Sequence, residues 1–435
     1  MTFLHLAFYG PLPYGSVRLS FPGCSEIMDN EKKIILFPVA SHFLFHFYEI
    51  AFPALAIPLT LSLGMDLKGV LALGFPMYLM FGVCALPWGF FADHVGNRPA
   101  LLIGFFGCAA GSFLTAFSTT PEGILWSLAL IGVFSCICHP AGMGLISHGA
   151  KNRGAALGIF SVAGTVGLIV GPFLAGLMNW LAGWKVAYAV MGAVSFLWGA
   201  ALLFVGIDET PVTKEDTAGG GENGNGFPLG TVILFFWIVT LGGLVYRINI
   251  VALPAFLEFK AGFLAAALHD LLGVPTVAAT TTMAAASLTS LIYVAGIFGQ
   301  LWGGRIADRH ELKRLYIVFN AAILPLALLM AFLTEQVLVA AAAAYVFFAL
   351  GIQPIENSLI ATFTPPRWRS TGYGLAAILI FGVGALAVYL VGWVSTRWSL
   401  GTVYLFSSAL LALIVVNIAF LFAATRGRDL RNRRR

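Results

Sequence analysis

Long runs of apolar residues alternate with short polar segments from residue 34 to residue 424. Each run has about the 20 residues that a helix needs to cross the hydrocarbon core of a bilayer. Backbone N–H and C=O groups must be satisfied internally there, and the runs lack the strict alternation of barrel strands. The pattern predicts an all-α polytopic membrane protein with twelve spans at 34–61, 69–91, 99–118, 123–147, 154–178, 185–207, 228–257, 285–307, 315–333, 336–362, 371–395 and 399–424.

Composition agrees with a membrane protein and excludes several other classes. Of 435 residues, 59% are hydrophobic and 10% are charged, whereas soluble proteins carry about 25% charged residues. Five cysteines are too few for a secreted disulfide scaffold. The basic excess is small and scattered, so nucleic acid is not an expected partner. We expect the lipid bilayer, a small-molecule substrate and protons as partners, and a monomer.

Basic residues lie mostly on one side of the predicted spans. If both termini are cytoplasmic, the inside segments contain 19 of the 24 Lys and Arg residues and the outside loops contain four, while Arg247 lies in a span. Lys and Arg concentrate in cytoplasmic loops of membrane proteins. The sequence therefore predicts that both termini face the cytoplasm.

Polar segments divide the chain. Residues 208–227 contain clustered Gly, Asn and acidic residues and predict a flexible cytoplasmic linker between six-span bundles at 34–207 and 228–424. Residues 258–284 are predicted to lie outside, with a short interfacial or re-entrant helix around Leu264–Leu272. The ends are predicted to be cytoplasmic tails, at 1–33 and, with basic character, at 425–435. Residues 1–27 are either an extension upstream of a start at Met28 or a disordered tail.

Three short patterns occur at matching positions in the two halves. They are Gly89-Phe-Phe-Ala-Asp93 with Gly304-Arg-Ile-Ala-Asp308, Tyr48-Glu49-Ile50 with Tyr246-Arg247-Ile248, and His139-Pro140 with Gln353-Pro354. Such correspondences indicate a duplicated six-span unit, an architecture that occurs in transporters.

With these motifs the chain resembles the major facilitator superfamily over residues 30–425. Between spans 2 and 3, Gly89, Asp93, Gly96 and Arg98 match the family's loop pattern, whereas Phe91, His94 and Asn97 depart from it. The resemblance implies two six-helix repeats that work by alternating access, with this loop as a cytoplasmic latch. Asp93 is then expected at the start of span 11 near Ser370 and Thr371, and Arg98 beside a carboxylate. Gly304 and Asp308 form the matching latch of the second half.

Two narrower resemblances point to export from a bacterial inner (plasma) membrane. The spacing of Gly158, Gly167, Gly171-Pro172 and Gly176 in span 5 resembles the motif of proton-coupled drug antiporters. Small residues also simply permit close helix packing, and both interpretations stay open. Spans 1 and 4, through Ser41-His42, Tyr48 and His139-Pro140, resemble the fosmidomycin resistance branch. That branch often has an acid between the His and the Tyr of span 1, whereas here the acid is Glu49.

Ionisable residues within the spans concentrate on spans 1, 4, 7 and 10, which the resemblance implies line the pathway. Each costs roughly 2.5–3.5 kcal/mol to insert at a helix centre. Three of them fall on one face of span 1, at spacing i, i+4 and i+7. The predicted substrate and proton pathway is His46, Glu49, His139, Arg247 and Glu356, with Tyr48, Tyr246, Asn249, Gln353 and Asn357; His42 is the third member of the span 1 face.

Structural roles remain as alternatives for these residues. A Glu–Arg pair can be a packing clamp between the halves, and His139 can fill the carbonyl gap that Pro140 leaves. His42 can be structural, and helix–helix hydrogen bonds also explain the amides. Cys136 and Cys138 point apart on a helix, so we expect no metal-ligand cluster.

Arg247 presents a planar fork that suits a carboxylate or a phosphonate, and it can pair with Glu49 or Glu356 when no substrate is bound. A buried carboxylate that loses an arginine partner tends to take up a proton, which would couple proton movement to conformation. The sequence contains neither a nucleotide-binding loop nor a nucleophile–base set. We therefore expect a secondary active transporter and not an enzyme, without a cofactor and driven by a proton gradient. Efflux by antiport is favoured, with uptake of an organic anion by symport and a non-transporting sensor or scaffold as alternatives.

Overall fold

The computed structural model describes residues 28–209, 227–273, 277–365 and 369–426, and its regular elements are helices. Among these residues, eleven helices are long and apolar enough to cross a membrane, or twelve if the bent pair Ala56–Leu63 and Leu67–Val83 counts as one span. The predicted all-α polytopic architecture is confirmed. The N-terminal extension, most of the predicted linker and the basic tail lie outside the described residues.

The helices of the first half follow the six predicted spans, several of which contain breaks. They are α1 (Asn30–Ala54), α2 (Ala56–Leu63), α3 (Leu67–Leu73), α4 (Phe75–Val83), α5 (Ala85–Val95), α6 (Asn97–Phe117), α7 (Pro121–Ser135), α8 (Met143–Gly149), α9 (Arg153–Ala182) and α10 (Trp184–Phe204). A π-helical turn at Cys138–Gly142 joins α7 to α8 within span 4.

The second half repeats this arrangement and adds one loop helix. Its helices are α11 (Leu229–Lys260), α12 (Phe263–Leu272), α13 (Ala278–Ala307), α14 (Leu312–Met330), α15 (Glu335–Gly351), α16 (Gln353–Phe363), α17 (Arg369–Ala377), α18 (Ala387–Arg397) and α19 (Leu400–Ala424). Span 11 runs from α17 to α18 through a π-helical turn at Ile378–Gly382 and a 3₁₀ turn at Val383–Leu386. The loop helix α12 confirms the helix expected around Leu264–Leu272. Helix α13 begins at Ala278, earlier than predicted.

Polar side chains set several helix starts. The side chain of Asp66 accepts a hydrogen bond from the N–H of Gly69 at 2.7 Å before α3. Thr120 does the same for Gly123 at 3.1 Å before α7. Each cap satisfies a backbone donor that the first helical turn leaves without an intrahelical partner. Between α5 and α6, Gly96 adopts φ +113°, a left-handed conformation that glycine tolerates and that separates spans 2 and 3.

Matching glycine–proline contacts recur in the two halves. A Cβ atom added at Gly89 would lie 3.5 Å from Cβ of Pro140, and one added at Gly304 would lie 3.9 Å from Cβ of Pro354. The patterns that correspond in sequence therefore also occupy corresponding places in space, as a duplicated unit requires.

The halves meet where spans 2 and 11 cross and along α9 and α13. At the crossing, a Cβ atom on Gly82 of α4 would overlap the backbone of Gly382. Along α9 and α13, the hydroxyl of Thr165 donates to Oε1 of Gln300 at 2.7 Å, and Oγ of Ser290 accepts from the N–H of Phe173 at 2.9 Å. The two bundles are thus in direct backbone contact where spans 2 and 11 cross, and polar side chains bridge them along α9 and α13.

Glycines of the span 5 motif pack that helix against its neighbours. A Cβ atom at Gly167 would overlap the carbonyl oxygen of Phe43 in α1, and one at Gly171 would lie 2.7 Å from Cγ2 of Ile50. At Gly176 the obstacle is Ala286 of α13, at 2.6 Å, whereas Gly158 is exposed and has nothing within 4 Å. Close packing accounts for three of the four glycines.

We expect the change Gly167→Ala to destabilise the protein by about 1–3 kcal/mol, because α9 must move away from α1 to admit the methyl group. The matched control is Gly158→Ala in the same helix, which should be neutral or slightly stabilising because alanine favours helix. Thermal unfolding in detergent would measure both. Equal melting temperatures for Gly167→Ala and the unchanged protein would contradict this packing.

Candidate functional site

A buried ion pair joins the two halves. Glu49 of α1 and Arg247 of α11 are both 0% exposed, and Nη1 of Arg247 lies 2.8 Å from Oε1 of Glu49. The two residues occupy corresponding positions in the Tyr-Glu-Ile and Tyr-Arg-Ile patterns of the repeats. Repeat-related positions on facing helices therefore carry opposite charges and contact each other.

The carboxylate of Glu49 also contacts groups from both halves. Its Oε2 lies 2.7 Å from Nδ1 of His46 and accepts a hydrogen bond from the hydroxyl of Tyr246 at 3.0 Å. The hydroxyl of Tyr78 donates to the backbone carbonyl of Glu49 at 2.8 Å. Glu49 is thus the centre of a polar network inside the protein.

The guanidinium of Arg247 lies among aromatic rings. Its Cζ is 4.1 Å from the ring centre of Tyr78, and it is 5.8 Å from that of Tyr246 and 5.9 Å from that of Phe381. Cation–π attraction offsets part of the cost of burying the charge. Nη1 is close to Glu49 without the alignment of a hydrogen bond, and within the described residues Nε and Nη2 have no hydrogen-bond partner. Arg247 therefore has donors that an anionic group can fill.

Three histidines gather beside this pair. The ring centres of His42 and His46 are 4.8 Å apart, and that of His139 is 5.0 Å from His42. One ligand atom from each lies within 4.8 Å of the others, close enough for the group to hold a metal ion. The expectation of no metal-ligand cluster was drawn from the spacing along span 4, which does not reveal that its π-helical turn brings His139 against α1.

Several predicted pathway residues lie away from this network. Glu356 accepts a hydrogen bond from the hydroxyl of Tyr316 in α14 at 2.7 Å, so Glu49 and not Glu356 pairs with Arg247. Asn357 is exposed. Oε1 of Gln353 accepts from Nε2 of Gln300 at 2.7 Å, which extends the polar bridge between the halves.

Two further predicted residues bond inside their own bundles. The hydroxyl of Tyr48 lies 2.6 Å from Oγ of Ser195 and accepts from Oγ of Ser112 at 3.0 Å. The amide of Asn249 bonds to the hydroxyls of Tyr293 and Tyr404, each at 3.3 Å. Tyr48 and Asn249 are close to Glu49 and Arg247 in the sequence but do not join their network, since neighbouring residues on a helix point in different directions.

The predicted latch residues lie at the ends of α5 and α13. Asp93 is exposed and makes no hydrogen bond or ion pair in the described part of the chain, while the side chains of Ser370 and Thr371 fall outside it. Asp308 is exposed at the end of α13, and Gly304 lies one turn earlier. The latch contact expected for Asp93 therefore stays a prediction.

Arg98 corrects one expectation about the latch. Within the described residues, its guanidinium donates to the carbonyls of Leu202 at 2.9 Å and Val205 at 3.1 Å, at the end of α10, and not to a carboxylate. The open carbonyls of a helix end attract a cation. Glu209 instead accepts from the backbone N–H groups of Asn97 and Arg98, each at 2.9 Å, and so caps α6.

Sequence reasoning missed Tyr78, Glu209 and the Thr165–Gln300 bridge. Tyr78 lies in a strongly apolar span, where only its hydroxyl marks it. Gln300 has a polar amide side chain within an apolar span, which is the feature that marked Gln353, so it could have been predicted in the same way. Glu209 lies at the start of the predicted linker and gave no signal beyond its charge.

Comparisons with known proteins agree on the kind of protein. The sequence profile of the Major Facilitator Superfamily matches residues 39–290. Multidrug resistance protein MdtG of Proteus mirabilis is 30% identical over 145 residues, which cover 33% of this chain and 36% of that protein. The D-galactonate transporter of Escherichia coli is 25% identical over 124 residues, which cover 27% of this chain and 28% of that protein. The chain thus spans only about a third of the length of these curated relatives.

Solved structures extend the likeness to nearly the whole chain. The inward-open xylose transporter XylE from E. coli superposes with a TM-score of 0.69 at 14% identity, and the match covers 92% of this chain and 98% of that one. At this identity the likeness shows the fold alone.

We expect Glu49→Gln to lower the free energy of unfolding by about 3–5 kcal/mol, because it leaves the buried Arg247 without its counter-charge. The double change Glu49→Gln with Arg247→Met should cost less than Glu49→Gln alone, since no buried charge remains. Thermal unfolding in detergent measures both. The control Glu31→Gln breaks the exposed contact with Lys151, where Nζ lies 3.8 Å from Oε2, and should change stability by less than about 1 kcal/mol. A double variant that is less stable than Glu49→Gln would contradict the pairing.

Proposed function

Because the chain belongs to the major facilitator superfamily, we propose that it is a secondary active transporter that exports an anionic or amphiphilic small molecule in exchange for protons. The observation that carries the proposal is the Glu49–Arg247 contact between the halves, where Nε and Nη2 of a fully buried guanidinium have no hydrogen-bond partner among the residues that the structure describes. A buried donor without a partner is costly, so an anionic ligand that fills it gains affinity.

Replacement of Glu49 by the substrate anion at Arg247 would couple the movement of the substrate to that of protons. When a carboxylate or phosphonate of the substrate takes the guanidinium, Glu49 loses its counter-charge and keeps only His46 and Tyr246 as polar partners. A buried carboxylate without a cation favours its protonated form. Substrate and proton then alternate at the contact between the halves, as alternating access requires. In the metal-free protein, His46 and His139 are the proposed relay because a neutral imidazole can accept a proton on one ring nitrogen and donate from the other, and their ring centres lie 6.2 Å apart.

Export is favoured by the likeness to a protein named for multidrug resistance and by the span 5 glycines. The second candidate is uptake of an organic anion together with protons. It is favoured by the buried cation and by the likeness to a protein named as a D-galactonate transporter. Both candidates use the same residues and differ in the direction of the proton relative to the substrate.

We further propose a bacterial inner membrane with both termini in the cytoplasm, on the ratio of 19 inside to four outside basic residues. The predicted latch would then close the cytoplasmic side in one state. It comprises Gly89 and Asp93 in α5, Gly96 in the following turn and Arg98 in α6. Gly304 and Asp308 are its counterpart in the second half. Packing of Gly374 in α17 near Leu86 of α5 supports the contact of spans 2 and 11 on that side.

Transport into or out of liposomes tests the direction. Purified protein is reconstituted with an internal pH dye, a pH gradient is imposed, and compounds including fosmidomycin and D-galactonate are added singly. We expect at least one compound to drive protons in the opposite direction to itself, at a rate well above that of protein-free liposomes. Protons that move with the compound would establish the uptake candidate. Radiolabelled compound that moves without protons would refute proton coupling, and a compound that binds without any flux would indicate a sensor or scaffold.

We expect Arg247→Lys to slow transport of an anionic substrate by at least about tenfold, equivalent to about 1.4 kcal/mol, because lysine lacks the planar fork of arginine. The matched control Arg397→Lys changes an exposed arginine at the end of α18 and should transport normally. Initial rates in the same liposomes give the ratio. Normal transport by Arg247→Lys would mean that the contact is only a charge clamp.

A further inference from the structure

His42, His46 and His139, the histidine cluster, lie together inside the first half. Two come from successive turns of α1, and the third from the π-helical turn of span 4. One ligand atom from each lies within 4.8 Å of the other two. His42 is 6% exposed and His46 is 9% exposed, so the cluster is not a surface coincidence of solvated side chains.

Each imidazole already has a partner at Nδ1. The Nδ1 atom of His42 lies 2.7 Å from the carbonyl oxygen of Phe160, and that of His46 lies 2.7 Å from Oε2 of Glu49. In His139 the partner is Sγ of Cys138 at 3.2 Å. A carbonyl or carboxylate partner makes Nδ1 the donor and leaves the lone pair of the neutral ring on Nε2. For His42 and His46, this pattern of one ring nitrogen held by an oxygen acceptor and the other available is characteristic of histidines that bind metals.

The backbone of α9 gives the cluster room. A Cβ atom at Gly164 would lie 2.6 Å from Cδ2 of His46 and 2.9 Å from Nδ1 of His42. Any other residue at this position would push at least one ring aside. Glycine here lets both imidazoles of α1 lie against the backbone of α9.

We propose that the histidine cluster binds one divalent transition-metal ion of the Zn²⁺ class through the three imidazoles. Neutral imidazole suits zinc, copper, nickel and cobalt, whereas magnesium and calcium prefer oxygen ligands. Zinc–nitrogen distances of about 2.0–2.1 Å place the ligand nitrogens of a tetrahedral ion about 3.3 Å apart. Rotation of the side chains would bring the ring nitrogens from within 4.8 Å to this spacing. Water or an anion would occupy the fourth coordination position of the ion.

The bound ion acts on the ion pair through His46. With the metal on Nε2, the Nδ1–H of His46 can only donate, and its acceptor is Glu49. The metal site would therefore fix the hydrogen bond from His46 to Glu49 and so hold Glu49 in its contact with Arg247 between the halves. The metal binding itself does not depend on which compound the protein transports, or on whether it transports one.

The test uses the full-length protein, purified in detergent with an affinity tag that contains no histidine, and titrated with Co²⁺ and Zn²⁺. We expect one ion per chain by calorimetry and the visible absorption of Co²⁺ bound to nitrogen ligands. Zn²⁺ at about 100 times its Kd should raise the melting temperature by about 3 °C or more. No binding of either ion by the unchanged protein would overturn the proposal, whatever the variants do.

Variants then assign the ligands. His42→Gln and His139→Gln should each weaken Zn²⁺ binding by at least about tenfold, while His310→Gln, at an exposed position after α13, should bind as the unchanged protein does. The melting temperature without metal shows whether each variant folds. If folded His42→Gln and His139→Gln bind Zn²⁺ normally, the ion lies elsewhere and the proposal fails. Because these readouts need no transported compound, their failure leaves the transport proposal standing, and a failed flux assay leaves this one standing.

Discussion

A charged side chain in the middle of a membrane protein requires a counter-charge, and this requirement links the two halves at Glu49 and Arg247. Neither α1 nor α11 can bury its charge alone without a cost of several kcal/mol. The two helices must therefore lie side by side, in the register that brings Oε1 of Glu49 to Nη1 of Arg247. The ring of Tyr78 and the hydroxyl of Tyr246 are arranged around this contact. Any state in which the halves separate here must supply a replacement for one partner, and a substrate anion or a proton can do so.

Gene duplication explains how such a pair arises. Two copies of one helix, related by a pseudo-two-fold axis, bring the same sequence position face to face near the axis. Divergence of that position to an acid in one copy and a base in the other gives a complementary contact without any change in backbone. The neighbouring tyrosines diverged as well, since Tyr48 bonds to Ser195 within the first bundle while Tyr246 reaches Glu49. The paired Gly89–Pro140 and Gly304–Pro354 contacts preserve the original symmetry.

Sequence predicted the fold more completely than the site. The apolar runs located the spans, because the length of a span is fixed by the bilayer, although α13 begins at Ala278 and not at the predicted residue 285. The loop helix α12 was expected where it lies. Helical spacing placed His46 and Glu49 on one face, where they bond. Contacts between spans could not be predicted in this way, because the spacing along a helix shows which residues share a face but not which other helix packs against that face. The contact of His139 with α1, the hydrogen bond from Tyr316 to Glu356 and the donation from Arg98 to carbonyls at the end of α10 were therefore not predicted.

The crossing of spans 2 and 11 has a mechanical meaning. At Gly82 the backbones of the two halves touch with no side chain between them, so this point fixes the distance between the bundles but contributes little resistance to a change in angle. A contact of this kind behaves as a fulcrum. If the halves rock, the displacement is small here and grows with distance from the crossing, so side chains far from it must exchange partners. Gly82 and Gly382 therefore set how closely the bundles approach and leave the angle between them free to change.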